Sequence, residues 1–500
     1  MRAAILPLAF CVASRALAEP VFEDASGALP LQHAYVGGWE HFVGGGVAVF
    51  DCNGDALPDI YAAGGADPAR LFVQEAGERL SFALGEALPA LRGVTGAYPL
   101  DVDADGHVDL VVLRVGENRL LRGDGACGFT DASAAWGFET DDRWSTAFSA
   151  TWEAGAGWPT LAIGNYVDRS DPDGPFEACD INQLYRPGAD GFAPPVTLSP
   201  GFCALSMLFS DWTRSGTAEL RISNDRHYYV RGGYEQMWQM TPLRERSAAE
   251  GWARVSLWGM GIASADLQGD GYPDVMLTSM GDQVLQMNEA GQMRAAGFAT
   301  GATAHRPHVG GDGRPSTGWH AEFGDVDNNG LLDLFIAKGN VDQMPGMAMK
   351  DPNNLLMQRA DGVFEEAAAR AGVATMARSR GAALADLDRD GRLDLVVINR
   401  RAPMELWLNR TAQTGNWAQV DLRMAGPNRF AIGAWLEIER GAGVEWRERT
   451  VGGGHVSGTL LPLHLGLGAA EAVRLRVHWP DGTTGAWQEI AANSRVRLRR

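Results

Sequence analysis

The chain has 500 residues, of which 45% are hydrophobic, 21% are charged and 63 are glycine. This length allows two or three domains with substantial cores, and the glycine content suits a protein with many tight turns. The formal net charge of −19 excludes a strongly basic surface, so we expect no nucleic-acid partner.

The N-terminus has the pattern of an export signal. Arg2 precedes a short apolar run at 3–12, and residues 16–18 (ALA) fit an A-x-A cleavage site. The run is too short to cross a membrane, and no later run reaches about 18 apolar residues. We therefore predict a signal peptide over 1–18, a secreted or periplasmic mature chain, and no transmembrane anchor.

Five segments of nine residues share one acidic design. Side chains that carry oxygen occupy positions 1, 3, 5 and 9, and glycine usually occupies position 6. Alternate residues of a tight loop can direct their oxygens toward one hard cation, and glycine tolerates the positive φ of such a turn. A polar turn without an ion is the alternative, which five matched copies disfavour. The candidate metal ligands are Asp51, Asn53, Asp55 and Asp59; Asp101, Asp103, Asp105 and Asp109; Asp266, Gln268, Asp270 and Asp274; Asp325, Asp327, Asn329 and Asp333; and Asp386, Asp388, Asp390 and Asp394.

These loops differ from EF-hands. An EF-hand loop ends in a bidentate glutamate at position 12 and lies between two helices. Here the ninth residue is aspartate, and each copy leads directly into an apolar run such as 109–115 (DLVVLRV). The repeating unit is therefore strand, acidic loop, strand, with the ion expected at the hairpin.

The spacing of the loops predicts the number of units. They start at 51, 101, 266, 325 and 386, and the long gap after 101 has room for two degenerate copies, starting at 152 and 211. The first has lost its acidic ligands, and the second keeps only Asp211 and Glu219 at positions 1 and 9, so we expect neither to bind an ion. Seven units of about 50 to 60 residues, each with four strands, predict a seven-bladed β-propeller.

The ends of the repeat region predict how the ring closes. The seventh unit stops near Asn409 without a fourth strand. Just after the export signal, residues 21–25 (VFEDA) resemble the fourth strand at 129–132 (FTDA). We predict that this N-terminal segment completes the seventh blade, which would leave no exposed edge strand.

A second β-rich domain is predicted after the repeats. Residues 420–423, 435–438 and 473–477 alternate like half-buried strands, and glycine turns, including 452–454, separate them. We therefore predict a propeller over 19–412 and a small β sandwich or barrel over 413–500.

Four cysteines follow the predicted signal. Four thiols in an oxidising compartment allow three pairings, which the sequence alone does not resolve. We favour Cys179–Cys203, which would clamp a long insertion, with Cys52–Cys127 as the remaining pair. Zinc binding is the competing interpretation, but no C-x-x-C spacing occurs.

Both regions resemble known families. The acidic units are similar to the FG-GAP, or VCBS-type, repeats of integrin α-subunit propellers. The tail resembles the ASPIC/UnbV domain that follows such repeats in the cartilage acidic protein family. The tail match rests on 428–434 (NRFAIGA), 451–454 (VGGG), 463–468 (LHLGLG) and 479–482 (WPDG). The resemblance implies an integrin α-like propeller with up to five structural Ca²⁺ ions, and it implies no reaction. The 101 and 386 loops keep four aspartates each and should bind most tightly.

One irregular stretch, 303–320, precedes the sixth unit. It brings together His305, His308, Trp319 and His320, which could form a ligand pocket at the mouth of the central channel. Loop packing is the alternative, which we favour because His-x-x-His without a third ligand is a weak metal signal.

Enzyme signatures are missing from the sequence. It contains no G-x-S-x-G elbow, no H-E-x-x-H and no phosphate-binding loop. We therefore expect an exported calcium-binding module that recognises an extracellular or periplasmic protein or glycan, as a binding or adhesion module, and that is not an enzyme. The alternative is an exported hydrolase or oxidoreductase with its site at the propeller mouth.

Overall fold

The computed structural model describes residues 19–174, 177–225, 232–441 and 443–500. The predicted signal peptide, 1–18, lies outside these described residues. Within them the chain consists almost entirely of strands and loops, which confirms the all-β class. The helical elements are 3₁₀ turns at Ser26–Ala28, Trp39–His41, Ala248–Glu250 and Phe298–Thr300, and one α-helical turn at Ala368–Ala371.

Most of the strands belong to seven antiparallel meanders of four strands each. The first contains β2 (Val47–Phe50), β3 (Asp59–Ala62), β4 (Arg70–Gln74) and β5 (Phe82–Leu84), and the second β6 (Val94–Leu100), β7 (Asp109–Gly116), β8 (Arg119–Gly123) and β9 (Phe129–Asp131). The third contains β10 (Arg143–Thr151), β11 (Thr160–Asn165), β12 (Asn182–Tyr185) and β13 (Val196–Leu198), and the fourth β14 (Ala204–Ser210), β15 (Glu219–Asn224), β16 (Gln236–Met240) and β17 (Leu243–Glu245). The fifth contains β18 (Gly259–Ala265), β19 (Asp274–Ser279), β20 (Val284–Glu289) and β21 (Gln292–Ala295), and the sixth β22 (Gly318–Gly324), β23 (Asp333–Lys338), β24 (Asn354–Gln358) and β25 (Phe364–Glu366). The seventh contains β26 (Ser379–Ala385), β27 (Asp394–Asn399), β28 (Glu405–Asn409) and the N-terminal β1 (Phe22–Asp24).

The meanders follow one another in a cycle. The first strand of each contacts the first strand of the next, in the order β2, β6, β10, β14, β18, β22 and β26, and β26 contacts β2 again. As predicted, the N-terminal segment supplies the missing strand, because Phe22 pairs with Asn409 and Asp24 with Trp407. This cyclic arrangement of meanders is β-propeller-like.

The tail folds into two separate sheets. One has the order β34 (Leu463–Gly468), β29 (Asn416–Arg423), β37 (Ser494–Arg499), and the other has the order β31 (Gly443–Glu448), β30 (Trp435–Arg440), β35 (Ala472–His478), β36 (Gln488–Ala491). Buried side chains of both sheets, such as Leu422, Leu465, Leu436 and Leu475, form one apolar cluster. Of the two predicted alternatives, the arrangement is therefore a sandwich.

Residues 451–460, which we call the plug, leave the sandwich and enter the ring. Its β32 (Val451–Gly452) pairs with both β10 and β14, and its β33 (Gly458–Leu460) pairs in parallel with β2. The prediction that Gly452–Gly454 form a turn between two tail strands is therefore wrong. Their backbone groups bind propeller strands instead, since Gly453 donates its N–H to Met207 O (2.7 Å) and Gly454 donates to Ile262 O (2.6 Å).

The plug contacts the inner strand of all seven meanders. Its partners are Val47 of β2, Ala97 of β6, Ser149 of β10, Leu208 of β14, Ile262 of β18, His320 of β22 and Gly381 of β26. The two predicted domains, 19–412 and 413–500, are thus joined through the centre of the ring and not only end to end.

Close packing of the plug explains two glycines of the inner strands. A Cβ on Gly46 would lie 1.8 Å from the carbonyl oxygen of Val456, and a Cβ on Gly96 would lie 2.0 Å from the same oxygen. Backbone atoms on both sides leave no side chain that could move aside. Glycine is therefore required wherever the plug passes this closely.

Both favoured cysteine pairs are bonded. Cys52–Cys127 links the first acidic loop to the second meander, and Cys179–Cys203 links the segment between β11 and β12 to the residue that precedes β14. All four cysteines of the described chain are therefore disulfides, and the competing zinc interpretation is wrong.

Candidate metal centre

Each of the five acidic loops connects the first and second strands of a meander. Position 1 follows the first strand directly, and position 9 is the first residue of the second strand. The loops therefore occupy the hairpins at which the sequence predicts ions, all on the same side of the ring.

All five loops share one set of hydrogen bonds. The position-1 carboxylate accepts the N–H of residue 6, the position-5 side-chain oxygen accepts the N–H of residue 7, and the position-9 carboxylate accepts the N–H of residue 2. In the 101 loop these distances are 3.1, 2.8 and 2.7 Å. The same three contacts occur in the 51, 266, 325 and 386 loops.

The position-9 aspartate also ties each loop to the third strand of its meander. Its second oxygen accepts the N–H of Gln74, Gly123, Asn288, Gln358 or Asn409, at 2.7–2.9 Å. The loops are therefore held in shape by their own backbone and by the sheet. This preorganises the side-chain oxygens before any ligand arrives.

Three of the loops bring carboxylates together. One oxygen from each residue at positions 1, 3 and 9 lies within 4.8 Å of the others in the 101, 325 and 386 loops. These loops also contain buried carboxylate oxygens without a hydrogen-bond partner: Asp101 Oδ1, Asp327 Oδ2, Asp386 Oδ1 and Asp388 Oδ1. A buried oxygen without a donor is costly, so these groups fit a site that binds a hard cation.

The side-chain ligands of the other two loops, 51 and 266, converge less. At position 3 they carry amides, and Asn53 Nδ2 donates to Asp55 (3.0 Å) while Gln268 Nε2 faces Asp274 (3.4 Å). An amide offers one oxygen and no charge, so position 3 of these two loops adds no negative charge to a site. The 325 loop was not predicted to be among the strongest, yet its carboxylates converge as those of the 101 and 386 loops do.

Burial disfavours the ionised form of the loop carboxylates. It raises the pKa of Asp109 to about 8 and that of Asp101 to about 7, with neighbouring aspartates as a further cause. Burial, followed by the charges of neighbouring aspartates, raises the pKa of Asp333 well above its ordinary value. A divalent cation among these oxygens would supply the missing positive charge and reverse these shifts.

Arginines compensate some of this charge. Arg122 pairs with Asp103 (2.8 Å) and Asp105 (2.9 Å), and Arg410 pairs with Asp388 (2.7 Å). Within the described ranges, no lysine or arginine forms an ion pair with the aspartates of the 325 loop. In the same part of the chain, this also holds for the aspartates of the 51 and 266 loops, so each of these three loops keeps three carboxylates without a paired cation.

The two degenerate units carry a cation of their own. In the fourth meander, Glu219 at position 9 binds Arg246 through Nε (2.9 Å) and Nη2 (2.7 Å). In the third, Glu153 binds Arg186 (2.7 Å) and accepts a hydrogen bond from Thr160 at position 9 (2.8 Å). In both degenerate units, a carboxylate near the loop is therefore paired with a guanidinium.

The tail covers the 325 loop. Gly415 donates its N–H to Asp327 O (2.9 Å), Gly468 donates to Asn328 O (2.8 Å), and His464 Nε2 lies 2.7 Å from Asn328 Oδ1. A Cβ on Gly466 would lie 1.8 Å from Asp325 Oδ2. The LHLGLG motif of the tail (463–468) therefore packs against the 325 loop.

Other tail residues contact the neighbouring loops. Arg429 Nε donates to Ala104 O (2.5 Å), and Asp386 Oδ2 accepts from Gln419 Nε2 (2.8 Å) and Arg495 Nη2 (2.8 Å). The tail consequently caps the loop side of the ring. Only the LHLGLG motif indicates this contact in the sequence.

The four residues of the predicted pocket have different surroundings. His305 is half exposed and pairs with Asp282 (2.7 Å), whereas Trp319 is fully buried and donates to Gly339 O (2.7 Å). Burial lowers the pKa of His308. His320 is buried against the plug and lines a cavity of about 150 Å³ in the channel. The plug therefore takes up the part of the channel that His320 faces.

A second cavity, larger than the one beside His320, lies between the acidic loops and the tail, and no sequence pattern predicted it. Its volume is about 330 Å³, and its walls come from the ends of β18, β22 and β26 and from β29, β31 and β37. Residues that are distant in sequence meet here only because the tail caps the ring.

Comparisons with known proteins agree with this organisation. The ASPIC and UnbV family model matches residues 424–500, and the FG-GAP-like repeat model matches 51–112 and 325–397. Cartilage acidic protein 1 of Xenopus tropicalis is 28% identical over 237 residues, and that of Homo sapiens is 26% identical over 231 residues. Each alignment covers 45% of this chain but only about a third of the relative.

A similar solved structure is the one described as BBS1N in complex with ARL6DN, soaked with mercury. Its TM-score is 0.47 at 9% identity, covering 79% of this chain and 99% of that one. Among the described residues, no helix is long and apolar enough to cross a membrane. The chain carries matches to FG-GAP-like repeats and to an ASPIC and UnbV domain, and it shares distant homology with cartilage acidic protein 1 over 45% of its length.

Proposed function

We propose that this chain is an exported calcium-binding β-propeller protein that acts as a non-enzymatic binding module for a protein or glycan. The observation that carries the proposal is the shared loop geometry. Five hairpins hold their acidic side chains in one hydrogen-bond pattern, and three of them contain buried carboxylate oxygens without a donor.

The donor set favours calcium. The candidate ligands are carboxylate and amide oxygens, with a backbone carbonyl available near position 7, and none of them is cysteine or histidine. Calcium accepts six to eight oxygens in flexible geometry, whereas magnesium requires a near-ideal octahedron and zinc prefers nitrogen and sulfur. When bound, the ion would neutralise the loop carboxylates and fix each hairpin. Its role is therefore structural.

Export is supported by two features of the chain. Its four described cysteines form two disulfides, which persist in oxidising compartments such as the cell exterior or the periplasm. The sequence before residue 19 has the pattern of a signal peptide. A secreted or periplasmic location follows from the two together.

The enzymatic alternative is disfavoured because the histidines that it would use have different surroundings. A hydrolase or oxidoreductase at the propeller mouth would use His305, His308 and His320. His305 pairs with an exposed aspartate, while His320 is buried against the plug. We therefore favour binding over catalysis.

Metal content provides the test. Asp103→Ala and Asp388→Ala each remove the position-3 ligand of a converging loop, and each should lower the bound calcium by about one equivalent, one ion per loop. Asp211→Ala in the degenerate fourth unit is the control and should leave the calcium content unchanged. Mass spectrometry of the purified, desalted proteins gives the counts.

Two results would contradict the proposal. The first is a wild-type protein that contains no calcium after dialysis against a calcium buffer and desalting. The second is that all three variants hold the same number of ions as the wild type.

A further inference from the structure

The cavity between the loops and the tail has walls of opposite charge. Its tail wall carries five arginines and two acids, namely Arg423, Arg447, Arg449, Arg495, Arg497, Asp421 and Glu448. Its propeller wall carries four acids and one arginine, namely Asp51, Asp266, Asp386, Glu322 and Arg389. Three of these acids are position-1 residues of the candidate calcium loops.

Two arginines of the tail wall keep unused donors. Arg449 is only 5% exposed, and its Nε has no hydrogen-bond partner within the described chain; the same holds for Nε of the largely buried Arg447. Arg449 uses Nη1 on the carbonyl of Leu461. Burial lowers its pKa to about 10, so the group stays charged at neutral pH. A buried guanidinium with free N–H groups beside a cavity can bind an anion with two oxygens.

Calcium would change the charge of this cavity. Without ions, the acids of the propeller wall oppose the arginines. If the loops hold Ca²⁺, the charges of Asp51, Asp266 and Asp386 are neutralised and the arginines dominate. The same walls include Leu332, Leu384 and Leu393, which offer apolar contacts. The volume of about 330 Å³ suits a small organic molecule.

We propose that the interdomain cavity binds a small organic carboxylate, with Arg447 and Arg449 as its anchors and the apolar side chains around its body. The inference rests on the proposed function, because the calcium-loaded loops make the cavity an anion site. It adds a second, small-molecule ligand to a module proposed to bind macromolecules.

Isothermal titration calorimetry of the calcium-loaded, full-length mature protein tests this inference. The probes are sodium benzoate, sodium acetate and neutral benzamide, with sodium chloride keeping the ionic strength constant. Benzoate should bind saturably and more tightly than acetate, and benzamide should not bind. Protein stripped of calcium should bind benzoate less well. It is desalted before the titration, because a chelator left in solution would itself compete as a carboxylate.

Variants locate the site. Arg449→Gln should weaken benzoate binding about tenfold or more, because it removes a charged donor. Arg497→Gln, at a half-exposed arginine of the same wall, should also weaken it and does not depend on a buried residue for folding. Arg474→Gln is the control, because Arg474 is outside the cavity lining and pairs with Glu439 (2.8 Å).

Three results would overturn the inference: no saturable benzoate binding, equal binding of benzamide, or wild-type affinity in both cavity variants. Such results would leave the calcium proposal intact if metal is still bound. If no metal is bound, the proposed function itself fails.

Discussion

The backbone N–H of His455 donates a hydrogen bond to Nδ1 of His320, 3.1 Å away, inside the ring. This contact joins the tail to an inner propeller strand. Because Nδ1 accepts, the proton of a neutral His320 lies on Nε2, which faces Glu322 at 3.4 Å. Both histidines are buried, so this part of the channel is filled by the tail and is not open to solvent.

The plug should contribute to the stability of the whole protein. Gly46→Ala would place a methyl group 1.8 Å from Val456 O, where no side chain can move aside. We expect it to lower the free energy of unfolding by about 3 kcal/mol. Gly157→Ala is the control, because no atom lies within 4 Å of its Cβ, and it should change stability by less than about 1 kcal/mol. Urea unfolding measures both, and equal stabilities would argue against a packed plug.

Closure by the N-terminal strand should make unfolding cooperative. Deleting residues 19–30 removes β1 and exposes the edge of β28, so the thermal transition should broaden and shift to lower temperature. Two point variants test the packing of the N-terminal strand without shortening the chain. Phe22→Ala, at a buried side chain, should cost about 3–5 kcal/mol, whereas Val21→Ala, which is 47% exposed, should cost little. A normal transition in the deletion variant would refute this closure.

The arginine of the fourth meander should act as a permanent substitute for an ion. Arg246→Met leaves the buried Glu219 without its partner, and we expect a loss of about 1.5–3 kcal/mol. The loss should be the same with and without calcium, since no ion is expected there. Arg244→Met, which breaks an exposed pair with Glu250, is the control and should have little effect. If added calcium rescued Arg246→Met, this loop would be an ion site after all.

Glu448 should make stability depend on pH. Burial raises its pKa from an ordinary value of 4.5 to about 8 in the folded protein, where Ser210 donates a hydrogen bond to it. The fold therefore favours the protonated form, and this group reduces stability progressively as pH rises from about 4.5 to 8. Glu448→Gln keeps a neutral side chain, so its stability relative to wild type should be greater at pH 8 than at pH 5. Chemical unfolding at the two pH values checks the sign, and an unchanged difference would contradict it.

Local patterns were sufficient to predict most of the fold. Loop spacing identified the two degenerate units around Trp152 and Asp211, because strand alternation persists where ligands are lost. The similarity of Val21–Ala25 to a fourth strand identified β1. Both disulfides were also predicted, although the spacing alone left three pairings open.

The missed features depend on contacts between distant segments. Gly452–Gly454 look like a turn in sequence, since glycine is common in turns. Only Gly46 and Gly96, which lie beside the plug in the fold, indicate that another backbone passes close to the inner strands. The cavity could not be predicted because its arginines and acids meet only when the tail caps the loops. The grouping of His305 with His320 failed for a related reason: the plug occupies the space beside His320, while His305 remains at the surface.

The central claim is that calcium in the acidic loops stabilises the propeller. Thermal unfolding of the full-length mature protein, compared between excess calcium and calcium-depleted buffer, tests it most directly. We predict a higher melting temperature with calcium, since each bound ion stabilises the folded state by mass action, and saturation once up to five sites are filled. An unchanged melting temperature across a calcium titration would contradict the account.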